Sequence, residues 1–124
     1  MEIFESPLKA RALILESDGQ RLCVLSTDVL AIRDDYAAEV RRRAQARFGL
    51  DPSKLIVNCT QNHLAPSVGH CFCLDEAFWR RYVPDELEWV LGGDRAYNEH
   101  FLDGCMRAIE GALATVRPVT ARVG

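Results

Sequence analysis

No run of apolar residues in this chain approaches the ~18 of a membrane span, and the opening "MEIFESPLKA" lacks the character of a signal peptide. There is no Gly-x-Ser-x-Gly elbow, so nucleophilic serine chemistry of the α/β-hydrolase kind finds no support. A phosphate-cradling glycine loop is missing as well: Gly92-Gly93 stands alone, without a following Lys-Ser/Thr. Internal repeats, low-complexity stretches and linkers are absent. Positive charge is not in excess either. A net charge of -3 gives no electrostatic attraction to nucleic acid or to an anionic membrane. Five cysteines are an odd count without framework spacing, which predicts free thiols in a reducing compartment, with a cytoplasmic location as the default.

The composition that remains is that of a globular domain, with 48% hydrophobic and 27% charged residues in 124. "KARALILES" (Lys9 to Ser17) and "RLCVLSTDVL" (Arg21 to Leu30) read as strands joined at Asp18-Gly19, a strong hairpin signal. In "RDDYAAEVRRRAQARFGL", Tyr36, Val40, Ala44 and Phe48 recur every four residues and predict a helix. Asp34 or Asp35 suits its positive end, and Gly49 fits a left-handed cap at the other. Arg41-Arg42-Arg43 reads as a solvated helix face. "LIVNCT" (Leu55 to Thr60) follows as a strand parallel to Arg21–Leu30, since a strand, helix, strand order calls for a crossover. Both of these strands are almost continuously apolar, which predicts cover on both faces.

Further on, "DEAFWRRYVPDELEWVL" reads as one or two short helices broken at Pro84. "DRAYNEHFLDGCMRAIEGALATV" places Tyr97, Phe101, Cys105, Ile109, Ala112 and Val116 on one face of a long helix, with Asp94 as N-cap and Pro118 as its stop. "VTARV" (119–123) suits a last strand. The predicted class is α/β: a mixed sheet with an N-terminal β-hairpin, a β-α-β crossover and a long C-terminal amphipathic helix. Residues 1–124 form a single domain or a fragment of a larger one. The cluster Phe72, Phe78, Trp79, Trp89 and Leu91 reads as core, as the lining of an acyl pocket or, in a fragment, as a surface that docks the remainder or drives self-association.

Chemistry in such sheets gathers at the carboxyl ends of parallel strands. Here the first end carries Ser26, Thr27 and Asp28; the second carries Asn58, Thr60, Gln61, Asn62 and His63. Asp28 and His63 emerge at one edge, where the carboxylate either orients the imidazole or caps the loop into the helix. His70, Cys71 and Cys73 have metal-compatible atoms, yet structural zinc sites draw paired ligands from two places and no second pair exists. The thiols read equally as small buried hydrophobes.

The linear order "SPLKARALILESDGQRLCVLSTDVLAI", then "RFGLDPSKLIVNCTQNHLAPS", and the tail "FLDGCMRAIEGALATVRPVTARVG" resembles the N-terminal domain of neutral/alkaline non-lysosomal ceramidases. In that family a "DPL-ARAL" strand leads to a strand closing on Ser-x-Asp, then to a helix and a "NVLLNATHTHSGP" strand. The resemblance implies a zinc-dependent amidase acting on N-acyl sphingoid bases or other small, lipid-like amides. A metal-bound water of lowered pKa makes such an attack possible at neutral pH. It also implies active-site roles for His63 and for Asp28 behind it.

Set on Thr-His-Thr-His-Ser-Gly-Pro, this chain has Thr60-Gln61-Asn62-His63-Leu64-Ala65-Pro66. His63 matches the second histidine, and Gln61 stands at a zinc-ligand position, where a neutral amide is a poor donor. The family's later ligands have no counterparts in the 124 residues. Two expectations result: a zinc-dependent hydrolase-family domain that is inactive by itself, or a catalytically inactive relative serving as a binding or structural domain.

Overall fold

The computed structural model describes residues 7–69, 81–82, 84–87, 94–120 and 122. Its first two elements are β1 (Ala10–Ser17) and β2 (Gln20–Thr27), paired antiparallel with Ser17 opposite Gln20. Only Asp18 and Gly19 lie between them, at φ 51° and 71°. Two successive positive φ values match the right-handed twist of the flanking strands, and Asp and Gly tolerate them.

Helix α1 (Asp34–Phe48) follows, with Asp34 and Asp35 in its first turn. The N-cap itself is Arg33, whose side chain makes no capping bond. The acids act on the positive helix end through the field rather than as a cap. Gly49, at φ 67°, closes the helix in the left-handed region, and its N–H donates to the Gln45 carbonyl. Asp51 then accepts from Ser53 N and starts a 3-10 turn, Pro52–Lys54, that leads into β3 (Leu55–Cys59). β3 pairs parallel with β2, Cys23 beside Leu55 and Thr27 beside Cys59, so the sheet order is β1-β2-β3.

The long helix α2 (Arg95–Ala114) is capped by Asp94, whose carboxylate accepts from Tyr97 N. It packs on β1, β2 and α1. Phe101, Cys105 and Ile109 are buried as the four-residue spacing predicts, joined by Leu102 and Met106. They meet Cys23 and Leu25 of β2 and Val40 and Ala44 of α1. Each large side chain so enclosed contributes about 1.5–3 kcal/mol. Val116 departs from the expected stripe: the helix stops at Ala114, and Thr115 donates its hydroxyl to the carbonyls of Gly111 and Ala112. Val116 is left exposed.

The arginine triplet is no simple solvated face. Arg41 donates to the Leu55 carbonyl, Arg42 and Arg43 both hold Glu39, and Arg43 reaches Glu99 and Asp103 on α2. Arg47 adds a bond to Glu110. Arg43 and Arg47 thus join α1 to α2 through ion pairs at their exposed edge.

The sheet departs from expectation in a second way. Residues facing the helices (Ala12 and Ile14, Cys23 and Leu25, Leu55 and Val57) are buried or half-buried in the core. On the other face Leu13, Leu15 and Ile56 are 54%, 48% and 50% exposed. The apolar strands thus reflect one covered face and one open face. Residues 81–82 are helical and 85–87 form a 3-10 turn, with Pro84 between them. Val119, Thr120 and Arg122 form no strand. The aromatic cluster from Phe72 to Leu91 lies outside the described residues.

Candidate functional site

Beyond their paired ends, β2 and β3 continue side by side. Thr60 N donates to Thr27 O, Asn62 N to Val29 O, Leu30 N to Pro66 O, and Val68 N to Ala31 O. Ile32 and Val68 form a parallel bridge, and Arg33 N closes the series on Val68 O. The backbone between Gln61 and Ala65 bulges from this track as a turn. Asn62 fixes it, accepting from Leu64 N at its side chain and from Ala65 N at its carbonyl.

The loop that follows is anchored in the core. Ala65, Ser67 and Val68 are buried, and Gly69 N donates to the buried Asn98 side chain on α2. Asn98 in turn donates to the Tyr36 hydroxyl on α1. Gly69 sits at φ 75°, and a Cβ there would lie 2.8 Å from the Tyr36 ring. Glycine is required at this position on both counts.

Gln61 and His63 are both exposed on the bulge, Gln61 with φ 55°, an uncommon value for a residue with a side chain. Asp28 lies at the end of β2, as the strand reading placed it. Its carboxylate accepts from Arg11 Nη1 at 2.8 Å and from Lys9 N at 3.2 Å, rather than from His63. The Arg11 bond holds the Asp28 carboxyl below its ordinary pKa, against the partial desolvation of the site. In this arrangement Asp28 secures the start of β1.

A crevice of about 1210 Å³ opens beside these strand ends. Thr27, Asp28 and Val29 line it on the sheet side, Asn62, Leu64 and Pro66 on the bulge. Residues 7–10 and the α2 residues Tyr97, His100, Phe101, Gly104, Arg107 and Ala108 complete it. Burial raises the pKa of Tyr97 here. The crevice combines apolar wall with a few polar groups, Lys9, Asn62, His100 and Arg107. Sequence reasoning missed the α2 wall. Its signal was the spacing of His100, Gly104 and Arg107, which puts two polar ends and a gap along one stripe beside the buried face.

Gln61, at the position the resemblance gives to a zinc ligand, is a poor zinc donor. Gln61 offers an amide, Asp28 is held by Arg11 and Lys9, and no three His, Cys, Asp or Glu side chains gather to hold a metal among the described residues. His70, Cys71 and Cys73 lie outside those residues. Cys23 and Cys105 are buried free thiols, and Cys59 is half-buried. Burial pushes Cys105 up to about 12 and raises Cys23. No described helix is long and apolar enough to cross a membrane.

The fold defines an α/β domain with a crevice beside the carboxyl edge of a parallel strand pair. No family model, curated protein or solved structure matches the chain.

Proposed function

We propose that this chain is a ceramidase-like hydrolase-family domain whose strand-end crevice binds a small amide or lipid-like molecule. The observation that carries the reading is the crevice itself, which places the Asn62–Pro66 bulge opposite the apolar and cationic wall of α2. An acyl chain suits Val29, Leu64 and Phe101; a polar amide or its carboxylate product suits Lys9, His100 and Arg107. His63, exposed on the bulge beside the lining residues Asn62 and Leu64 but not itself lining the crevice, is the local active-site residue on this reading, and Asp28 is a positioning group through its hold on β1. Zinc-dependent amide hydrolysis on this reading needs metal donors beyond those gathered among the described residues.

Gln61 favours a second reading, in which the domain binds such molecules without hydrolysing them. Zinc per chain, measured by elemental analysis on protein purified without chelators, separates the two. Near-stoichiometric zinc that His63→Ala abolishes supports the hydrolase. A zinc-free chain that still binds a fluorescent long-chain N-acyl amine, and loses it in Phe101→Ala or Arg107→Ala, supports the binding domain. Absence of both zinc and ligand binding refutes the two together.

A further inference from the structure

Positive charge collects at the strand-end crevice, although the chain as a whole carries -3. Lys9 and Arg107 line it. Asp28 is the one carboxylate among the described lining residues, and Arg11 on β1 already holds it at 2.8 Å. Lys9, Arg11 and Arg107 are therefore set against a single negative charge. An imbalance of this sign in a partly apolar cleft raises the local concentration of anions.

Arg107 is the cation left without a partner. Its acidic neighbours along α2 are Asp103, four residues before it, and Glu110, three after it. From these positions a carboxylate ordinarily reaches an arginine on the same helix. Both turn to α1 instead: Asp103 lies 3.8 Å from Arg43, and Glu110 lies 3.0 Å from Arg47. Arg107 forms no ion pair among the described residues. Its Nη2 lies 3.9 Å from where a Cβ on Gly104 would stand, so the guanidinium folds back along the helix over that glycine. His100, one turn further back, lines the same wall. The missing side chain of Gly104 thus leaves a gap between the Arg107 fork and His100.

We infer that the group held at this gap is a carboxylate, so that the crevice takes negatively charged acyl compounds in preference to neutral amides. The inference rests on the reading of the crevice as a site for amide or lipid-like molecules. A carboxylate accepts two parallel N–H bonds from one guanidinium, a pairing that the single oxygen of a neutral amide cannot match. Lys9 adds a second positive charge from the β1 side. The apolar tail lies along Val29 and Phe101. Two sources carry this chemistry, an N-acyl amino acid and a free fatty acid. Arg107 is exposed, and an exposed ion pair is screened by water and salt. The preference expected from the charges together is therefore about tenfold, and it depends on ionic strength.

Isothermal titration calorimetry of the full chain tests this with N-decanoylglycine, decanoate and the neutral N-decanoylethanolamine, each kept below the concentration at which it self-associates. Both carboxylates should bind about tenfold tighter than the ethanolamide at about 50 mM salt, and the gap should close towards about 500 mM. Arg107→Gln keeps much of the stem and a hydrogen-bonding amide but loses the charge. It should abolish the preference and leave ethanolamide binding in place, whereas Arg107→Lys, which keeps the charge, retains part of the preference. Tighter binding of N-decanoylglycine than of decanoate identifies an N-acyl amino acid as the source, and the reverse or equality identifies a fatty acid; each supports the inference. An ethanolamide bound as tightly as the carboxylates overturns it and leaves the reading of the crevice standing. A preference that survives Arg107→Gln, in protein shown folded by circular dichroism, overturns it equally. Binding of none of the three refutes the crevice reading itself, and the inference with it.

Discussion

Gly69→Ala isolates the contact that ties the loop after β3 to both helices. At φ 75° an alanine pays left-handed strain, about 1–2 kcal/mol for a residue with a Cβ. The added carbon also lies 2.8 Å and 3.0 Å from two Tyr36 ring atoms and 3.0 Å from Arg33 Cβ. The ring cannot swing clear without stretching the bond that its hydroxyl accepts from Asn98 Nδ2 at 3.1 Å. Losing that bond adds about 0.5–1.5 kcal/mol. The sum is about 1.5–3.5 kcal/mol. Gly49→Ala is the matched control, because Gly49 has a similar φ of 67° but nothing within 4 Å of its would-be Cβ. It should show the backbone strain alone, about 1–2 kcal/mol. Urea denaturation reads the difference: with a slope of about 1–3 kcal/mol per M, Gly69→Ala lowers the midpoint by about 1 M or more. A Gly69→Ala midpoint no lower than that of Gly49→Ala would falsify the packing of Gly69 against Tyr36.

Two other outcomes follow from charge and burial. Arg42 and Arg43 hold the Glu39 carboxyl down to about 2, from an ordinary 4.5. Its folded value is depressed, so its contribution is present above about pH 4.5 and is lost as the pH falls towards 2. The urea midpoints of wild type and Glu39→Gln should therefore converge through that window, and a constant gap refutes the pairing. Cys105, with a thiol raised to about 12, should resist iodoacetamide at about pH 8 until the protein unfolds, with half-buried Cys59 labelled earlier. Peptide mapping that finds Cys105 labelled first in folded protein contradicts its burial.

Where structure is local, the sequence is a good guide to it. Asp18-Gly19 specifies its turn because both positions need positive φ, and Gly49 and Asp94 specify helix ends because each satisfies backbone groups within a few residues. Long-range partners are less legible. Arg43 reads as solvated in its own helix, yet its partners Glu99 and Asp103 are far along the chain. The apolar character of β2 and β3 is the same whether one face is covered or two, so periodicity could not show which face lies open. The strand-end position of Asp28 was readable, but its bond to Arg11 depends on the hairpin register. Likewise His100 and Arg107 line the crevice because of how α2 packs on the sheet and on α1, which its own periodicity does not show.

The packing of α2 on β1 also fixes an order of events during synthesis. The hairpin closes through a two-residue turn and can form as soon as both its strands leave the ribosome, within microseconds. Its inner face is covered by a helix made several tens of residues later, which at about 5–20 residues per second is a wait of several seconds. Throughout that interval Ala12, Ile14, Cys23 and Leu25 lie bare on one side of the nascent hairpin, and Leu13 and Leu15 on the other. A hairpin apolar on both sides and unpaired at its edges is what a holding chaperone recognises, and the yield of folded protein should respond more to the speed of elongation through that stretch than to the final stability of the fold.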